Sequence, residues 1–166
     1  MKPLLPRLLL SALLFVPLLA GGTVPGSAKP PQGEVLQQLQ PLRSDAIELG
    51  EGPVDVYVFI DPNCPRSREF VGMIYESEKM QRLYHYYFFL YSLPHFGSGA
   101  IVNAIYAAAS PKETMLAYMV GHKPLPGLSR LTPPAVQAKI FRIANTAEAI
   151  GVDKRPYLIL DKKKTP

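Results

Sequence analysis

The sequence predicts an α/β domain with a central sheet covered on both sides. Three observations carry this. Residues Val54–Ile60, VDVYVFI, and residues 85–91, HYYFFLY, are short runs apolar on both faces, as strands in the middle of a sheet are. Between them lies a segment with helical spacing, and strand, helix and strand with short joins make a right-handed crossover unit. The second half of the chain then reads mostly as helices, closed by one more short strand, Tyr157–Leu160.

Taken in order, the first residues stand outside that fold. Lys2 and Arg7 are the only charges before Lys29, and residues 8–20 read LLLSALLFVPLLA. A charged start, a short apolar block and then small residues are the pattern of a secretory signal, expected over residues 1–28. The block falls short of the ~20 apolar residues that a membrane span needs. Ala20, Gly21 and Gly22, or Gly26, Ser27 and Ala28, offer the small side chains a signal peptidase reads. No cysteine stands directly after the apolar block, which argues against a lipid anchor. The destination implied is periplasmic or secreted. Residues 29–45 read as a linker, although Val35, Leu36, Leu39 and Leu42 recur at helical spacing and suggest a short amphipathic stretch. The folded domain is expected over residues 46–166.

Residues 46–49 read as a strand, and Gly50, Glu51, Gly52 and Pro53 as a turn leading into Val54–Ile60. Pro65 suits the first turn of a helix, where its missing N–H costs nothing. Phe70, Val71, Ile74 and Ser77 continue that helix on one face. Residues 100–109 form the next expected helix. Ser110, Pro111, Lys112 and Glu113 spell a capping box with proline at the first helical position, so another helix starts there and ends at Gly121, a candidate left-handed cap. Residues 122–130 are a loop. Thr132 caps a further helix with Pro133 at its first position. Its buried face is Val136, Ile140, Ile143, Ala147 and Ile150, and Gly151 ends it.

Charge excludes one class of partner. The formal charge of +5 falls to +3 without Lys2 and Arg7, and the remaining cations do not cluster except at Lys162, Lys163 and Lys164 near the C-terminus. That is no nucleic-acid footprint. His85, His95 and His122 show no ligand spacing, so no metal site is expected, and no cofactor motif is present. Gly97, Ser98 and Gly99 lack the strand and lysine of a phosphate-binding loop and read as a helix start. Tyr84, Tyr86, Tyr87 and Tyr91 read as strand residues.

The chemistry concentrates in FIDPNCPRSREF, residues 59–70, which holds the only cysteine. An odd cysteine in an exported chain is a reactive thiol, an intermolecular bridge or a buried small hydrophobe. Cys64 stands where a central strand ends and a helix begins. The unpaired N–H groups and partial positive charge of a helix N-terminus favour a thiolate. Arg66 and Arg68 add cations, Asp61 opposes them weakly, and the Ser67 hydroxyl is placed to donate to sulfur. The expectation is a nucleophilic, partly exposed thiolate with Arg66 and Ser67 as its stabilisers.

These residues resemble the active-site segment of thioredoxin-fold thiol–disulfide oxidoreductases, closest to the periplasmic disulfide isomerases of the DsbC and DsbG type. Those carry DPxCPYC after a buried strand, and Asp61, Pro62, Cys64 and Pro65 match it. AIYAAASPKETMLAYMVG, residues 104–121, is similar to the family's helical insert. ANTAEAIGVDKRPYLILDK, residues 144–162, is similar to the family's helix, Gly-Val and proline-preceded strand. The resemblance implies a thioredoxin-like sheet with a helical insert. It makes Pro156 the cis-proline facing the thiol, with Pro65, Arg155 and Pro156 in a substrate groove where Arg155 lends its backbone to an extended peptide. The implied partners are cysteine-containing proteins or small thiols.

Three departures follow. Ser67 and Arg66 replace the family's second cysteine and tyrosine, so no internal disulfide can form, and a monothiol can only work through mixed disulfides. The family's N-terminal dimerisation domain has no counterpart. The fold's last strand and helix are also expected to be lacking, which would uncover one sheet edge and one sheet face: either an envelope partner covers them, or the chain is a truncated or decaying relative. The alternative reading is a non-catalytic binding or assembly module of the cell envelope.

Overall fold

The structure, a computed structural model, describes residues 29–125 and 132–161. The expected signal segment and the lysine run therefore lie outside the described residues. So do residues 126–130 of the expected 122–130 loop.

The chain opens with helix α1, Gln32–Leu39, followed by a 3₁₀ turn over Pro41–Asp45. Val35, Leu39, Leu42 and Asp45 are buried. The stretch read as a linker, residues 29–45, is thus part of the packed domain. The apolar spacing noted there is the reason, since it gives the helix a face to bury. Strands β1 (Ile47–Leu49) and β2 (Val54–Ile60) come next. Between them Gly50 has φ +83, and a Cβ on Gly52 would overlap the Leu83 and Tyr84 backbone, so the turn is pressed against the start of the following strand.

Helix α2, Pro65–Glu76, does not run on as one piece. Ser77 breaks it, and its Oγ accepts the Met80 amide at 3.3 Å to cap the short helix α3, Glu78–Leu83. Strand β3, Tyr84–Leu90, follows directly. After it come α4 (Gly99–Ala107), α5 (Pro111–Met119), α6 (Pro134–Ala149) and β4 (Tyr157–Leu160). Three expected caps shift. The Ser110 side chain makes no capping bond, and Pro111 alone sets the start of α5. The left-handed residue after α5 is His122, φ 52, rather than Gly121. Pro133 takes the cap of α6 and Pro134 its first position. Gly151, φ 71, ends that region as expected.

The sheet order is β1-β3-β2-β4 among the described residues. β2 and β3 are parallel, with Val56 opposite Tyr86 and Phe59 opposite Phe89; β1 and β4 run antiparallel to their neighbours. The two strands that are apolar on both faces take the two central places. Alternation sends Tyr57, Phe59, Tyr87 and Phe89 to one face and Val56, Val58, Tyr86 and Phe88 to the other. On the first face the Tyr57 and Tyr87 rings stack at 5.3 Å, with the Arg43 guanidinium over both. On the second, Phe70 of α2 meets Tyr86 edge-on at 6.4 Å. β4 is an edge strand, and its Leu158 and Leu160 are exposed. Among the described residues, no helix is long and apolar enough to cross a membrane.

Candidate functional site

The carboxyl end of β2 delivers Asp61, Pro62, Asn63 and Cys64 as a tight turn. The Cys64 amide donates to the Asp61 carbonyl at 3.0 Å, and the Cys64 carbonyl accepts the Arg68 amide at 3.0 Å. Cys64 is the N-cap of α2, in extended conformation, with Pro65 at the first helical position. The sulfur therefore sits at the positive end of a twelve-residue helix, as the sequence places it.

Asp61 holds the turn together. It is fully buried. Its Oδ1 accepts the Asn63 amide at 2.8 Å, which is an Asx turn. Its Oδ2 accepts the Leu93 amide at 2.7 Å and the Ser98 hydroxyl at 2.8 Å. Ser98 has a single hydroxyl proton and donates it to the carboxylate, so the Ser92 hydroxyl 2.8 Å away supplies the hydrogen of the contact between the two serines. Asp61 thus ties the Cys64 turn to the segment after β3.

Asn63 ties the same turn to the helices. Its Nδ2 donates to the Phe96 carbonyl at 3.0 Å, and its Oδ1 accepts the Tyr118 hydroxyl at 2.7 Å. Arg68 braces Tyr118 in turn. Its guanidinium lies 4.7 Å from the Tyr118 ring and donates to the Tyr118 carbonyl at 2.7 Å.

The other wall is the loop before β4. The Arg155–Pro156 peptide is cis, as the resemblance implies. The Arg155 carbonyl oxygen lies 3.9 Å from Cys64 Sγ. The Arg155 side chain is buried, at 6% exposure. Its Nε donates to the Tyr91 carbonyl at 3.3 Å, its Nη1 to the Lys154 carbonyl at 2.8 Å, and its guanidinium stacks 4.1 Å from the Tyr91 ring. Nη2 is buried without a partner. Burial pushes the pKa of this guanidinium down, and the fields of Tyr91, Asp61 and Cys64 oppose that.

The structure brings Cys64, Pro65, Ser67, Arg155 and Pro156 to one end of the sheet, but two roles differ from the expected ones. Ser67 is fully buried, and its Oγ accepts the Asp61 amide at 3.3 Å; no hydrogen bond joins it to the sulfur among the described residues. Arg66 is exposed and makes no ion pair among the described residues. Cys64 itself is 5% exposed, so the expectation of a partly exposed thiol is corrected: the turn and the Arg155–Pro156 loop close over it. Three residues that shape the site carried no functional expectation as side chains: Asn63, Tyr118 and the Arg155 guanidinium. Asn63 had a legible signal, since Asp-Pro-Asn is turn chemistry. Tyr118 and the Arg155 guanidinium had none, because their contacts span 55 and 64 residues. No group of three His, Cys, Asp or Glu side chains among the described residues could hold a metal.

A disulfide interchange protein from Neisseria gonorrhoeae has a similar structure, with 22% identity and a TM-score of 0.54, covering 69% of this chain and 79% of that one. The catalytic domain of Proteus mirabilis ScsC superposes with a TM-score of 0.59 at 12% identity, covering 76% and 85%. The fold is thioredoxin-like. A thioredoxin-like oxidoreductase from Silicibacter pomeroyi adds a third example, at 20% identity, 71% and 81% coverage and a TM-score of 0.52. No family model matches the chain, and no curated relative matches it. Within the thioredoxin-like fold, the Cys64 turn and the cis-proline loop occupy the carboxyl end of the central strand β2, where ligands of open α/β sheets gather.

Proposed function

We propose that this chain is an exported monothiol thioredoxin-like protein that exchanges disulfides with cysteine-containing partners or small thiols through Cys64. One observation carries the reading. Cys64 is the N-cap residue of helix α2, and its sulfur lies 3.9 Å from the carbonyl that precedes cis-Pro156. The names of the similar structures, a disulfide interchange protein and a thioredoxin-like oxidoreductase, support the same chemistry. The apolar block at residues 8–20 supports an envelope or secreted location.

The cycle has two displacements. The Cys64 thiolate attacks one sulfur of a partner disulfide; that S–S bond breaks and the other partner sulfur leaves as a thiolate. An external or partner thiolate then attacks the partner-side sulfur of the mixed disulfide. The bond to Cys64 breaks, and Cys64 departs with the electron pair. No net oxidation occurs, which suits a chain with one cysteine. Pro65, Arg155 and Pro156 flank the approach, and the Arg155 backbone is the natural rail for an extended peptide.

A second reading has an observation of its own. The 5% exposure of Cys64 favours a non-catalytic binding or assembly module in which the sulfur is packing. Trapping separates the two. Under the first reading, the mature protein forms covalent adducts with partner proteins that disappear on reduction and in Cys64→Ala. Complexes indifferent to both treatments overturn it in favour of the second.

A further inference from the structure

Helix α2 turns one stripe of side chains toward a groove. Glu69, Gly72, Met73 and Glu76 are spaced i, i+3, i+4 and i+7, so they share a face. Together with Met119 and Val120 from the end of α5, they line a groove of about 490 Å³. Asn63 and Pro65, the residues on either side of Cys64, also line it, so the groove is continuous with the thiol turn. A Cβ on Gly72 would meet nothing within 4 Å, which leaves open space over the stripe. The charges in the groove are unequally engaged. Arg68 lines it too, but its guanidinium is held by the Tyr118 ring and carbonyl, and His122 adds an imidazole. Glu69 and Glu76 are exposed and take part in no ion pair among the described residues. Met73 is 49% exposed between them. Two carboxylates flanking a thioether suit an alkyl stem that ends in a cation, as in arginine or lysine.

We propose that this groove selects the partner: it takes an extended peptide segment with basic side chains beside the cysteine that Cys64 attacks, and Glu69 and Glu76 read them. The inference rests on the exchange reading above and names its substrate class. Helix geometry sets the spacing. At 1.5 Å per residue, Glu69 and Glu76 lie about 7 and about 18 Å along the axis from Cys64. An extended chain covers about 3.3 Å per residue, so the cations fall near the second and the fifth residue from the attacked cysteine. Overall charge predicts the opposite preference. The chain is basic, with a formal charge of +5, and its long-range field favours acidic partners, so a preference for basic peptides has to come from the groove.

The test uses peptides with one cysteine held as a disulfide to thiopyridine, and with arginine or glutamate at the second and fifth positions on one side of it or the other. The Cys64 thiolate attacks the peptide sulfur, the S–S bond breaks, and the thiopyridine sulfur leaves with the electron pair. Its absorbance gives the rate, and mass spectrometry confirms the peptide adduct on Cys64. Each rate is divided by that of the same protein with dipyridyl disulfide, a reagent too small to span the groove. On one side of the cysteine, the arginine peptide outruns the glutamate peptide by about tenfold, at roughly threefold for each exposed ion pair. That advantage shrinks in Glu69→Gln with Glu76→Gln, and in high salt. Gly72→Leu, which fills the groove, slows every peptide. Arginine peptides no faster than glutamate peptides on both sides, or an advantage that survives the double substitution, overturns the inference and leaves the exchange reading standing. A wild type inert to dipyridyl disulfide sinks both.

Discussion

Tyr118, on helix α5, donates its hydroxyl proton to Asn63 Oδ1 at 2.7 Å, one residue before the only cysteine. A side chain from the helical insert therefore fixes the turn that presents the sulfur. Tyr118→Phe removes that one bond. The cost in stability is about 1 kcal/mol, the usual net worth of a hydrogen bond. The larger effect falls on Cys64, which becomes quicker to alkylate as its turn loosens. Matched alkylation and urea-unfolding measurements check this; an unchanged alkylation rate would show that the bond does not hold the turn.

Asp61 offers a sharper energetic test. It accepts three hydrogen bonds from donors around the site and is fully buried. Asp61→Ala leaves those donors unsatisfied at about 1–3 kcal/mol each, so the loss is about 3 kcal/mol or more. Asp61→Asn retains an acceptor and loses less. A chemical denaturation series reads the difference, and a loss under about 1 kcal/mol for the alanine variant would contradict the account.

Residues 29–45 pack against the domain through Val35, Leu39 and Leu42, and Leu39 is fully buried there. Leu39→Ala is expected to cost about 2–5 kcal/mol, as for other buried leucines. Deleting the segment would then lower the thermal midpoint of the remaining domain. A variant as stable as the parent would return these residues to the linker class.

Alkaline pH should unfold the domain through its tyrosines. Burial raises the Tyr86 pKa to about 12, with the field of Tyr84 adding to it, and burial also pushes Tyr106 up. An unfolded tyrosine loses its proton near pH 10 (about its ordinary pKa) while the native ones still hold theirs. The stability they contribute is fully present below about pH 10 and falls as pH rises toward the native values. Urea midpoints measured across that range should decline. Tyr86→Phe should decline less steeply, and equal slopes would discount the role of Tyr86.

Much of this site was legible in one dimension. Val54–Ile60 and the parallel strand after it announce themselves because both faces of a central strand must be apolar, and Pro65 marks where the helix takes over. Those local facts put Cys64 at a helix N-terminus without any coordinates. Length and caps were less secure. Ser77 splits a helix by capping the next one, and Gly121 yields its left-handed place to His122, because tertiary packing decides which of two competent residues turns the chain.

The sequence by itself determined the strand order of types, the position of the single thiol and the absence of an internal disulfide. All of these are set by patterns a few residues long or by a count. Only the tertiary structure decided what surrounds that sulfur. Ser67 was free to bond either Cys64 or the Asp61 amide and took the amide. Arg66 stayed in water, and Arg155, distant in the chain, is buried with its carbonyl against the sulfur. The physical reason is that burial and charge pairing depend on through-space neighbours, which no local pattern encodes.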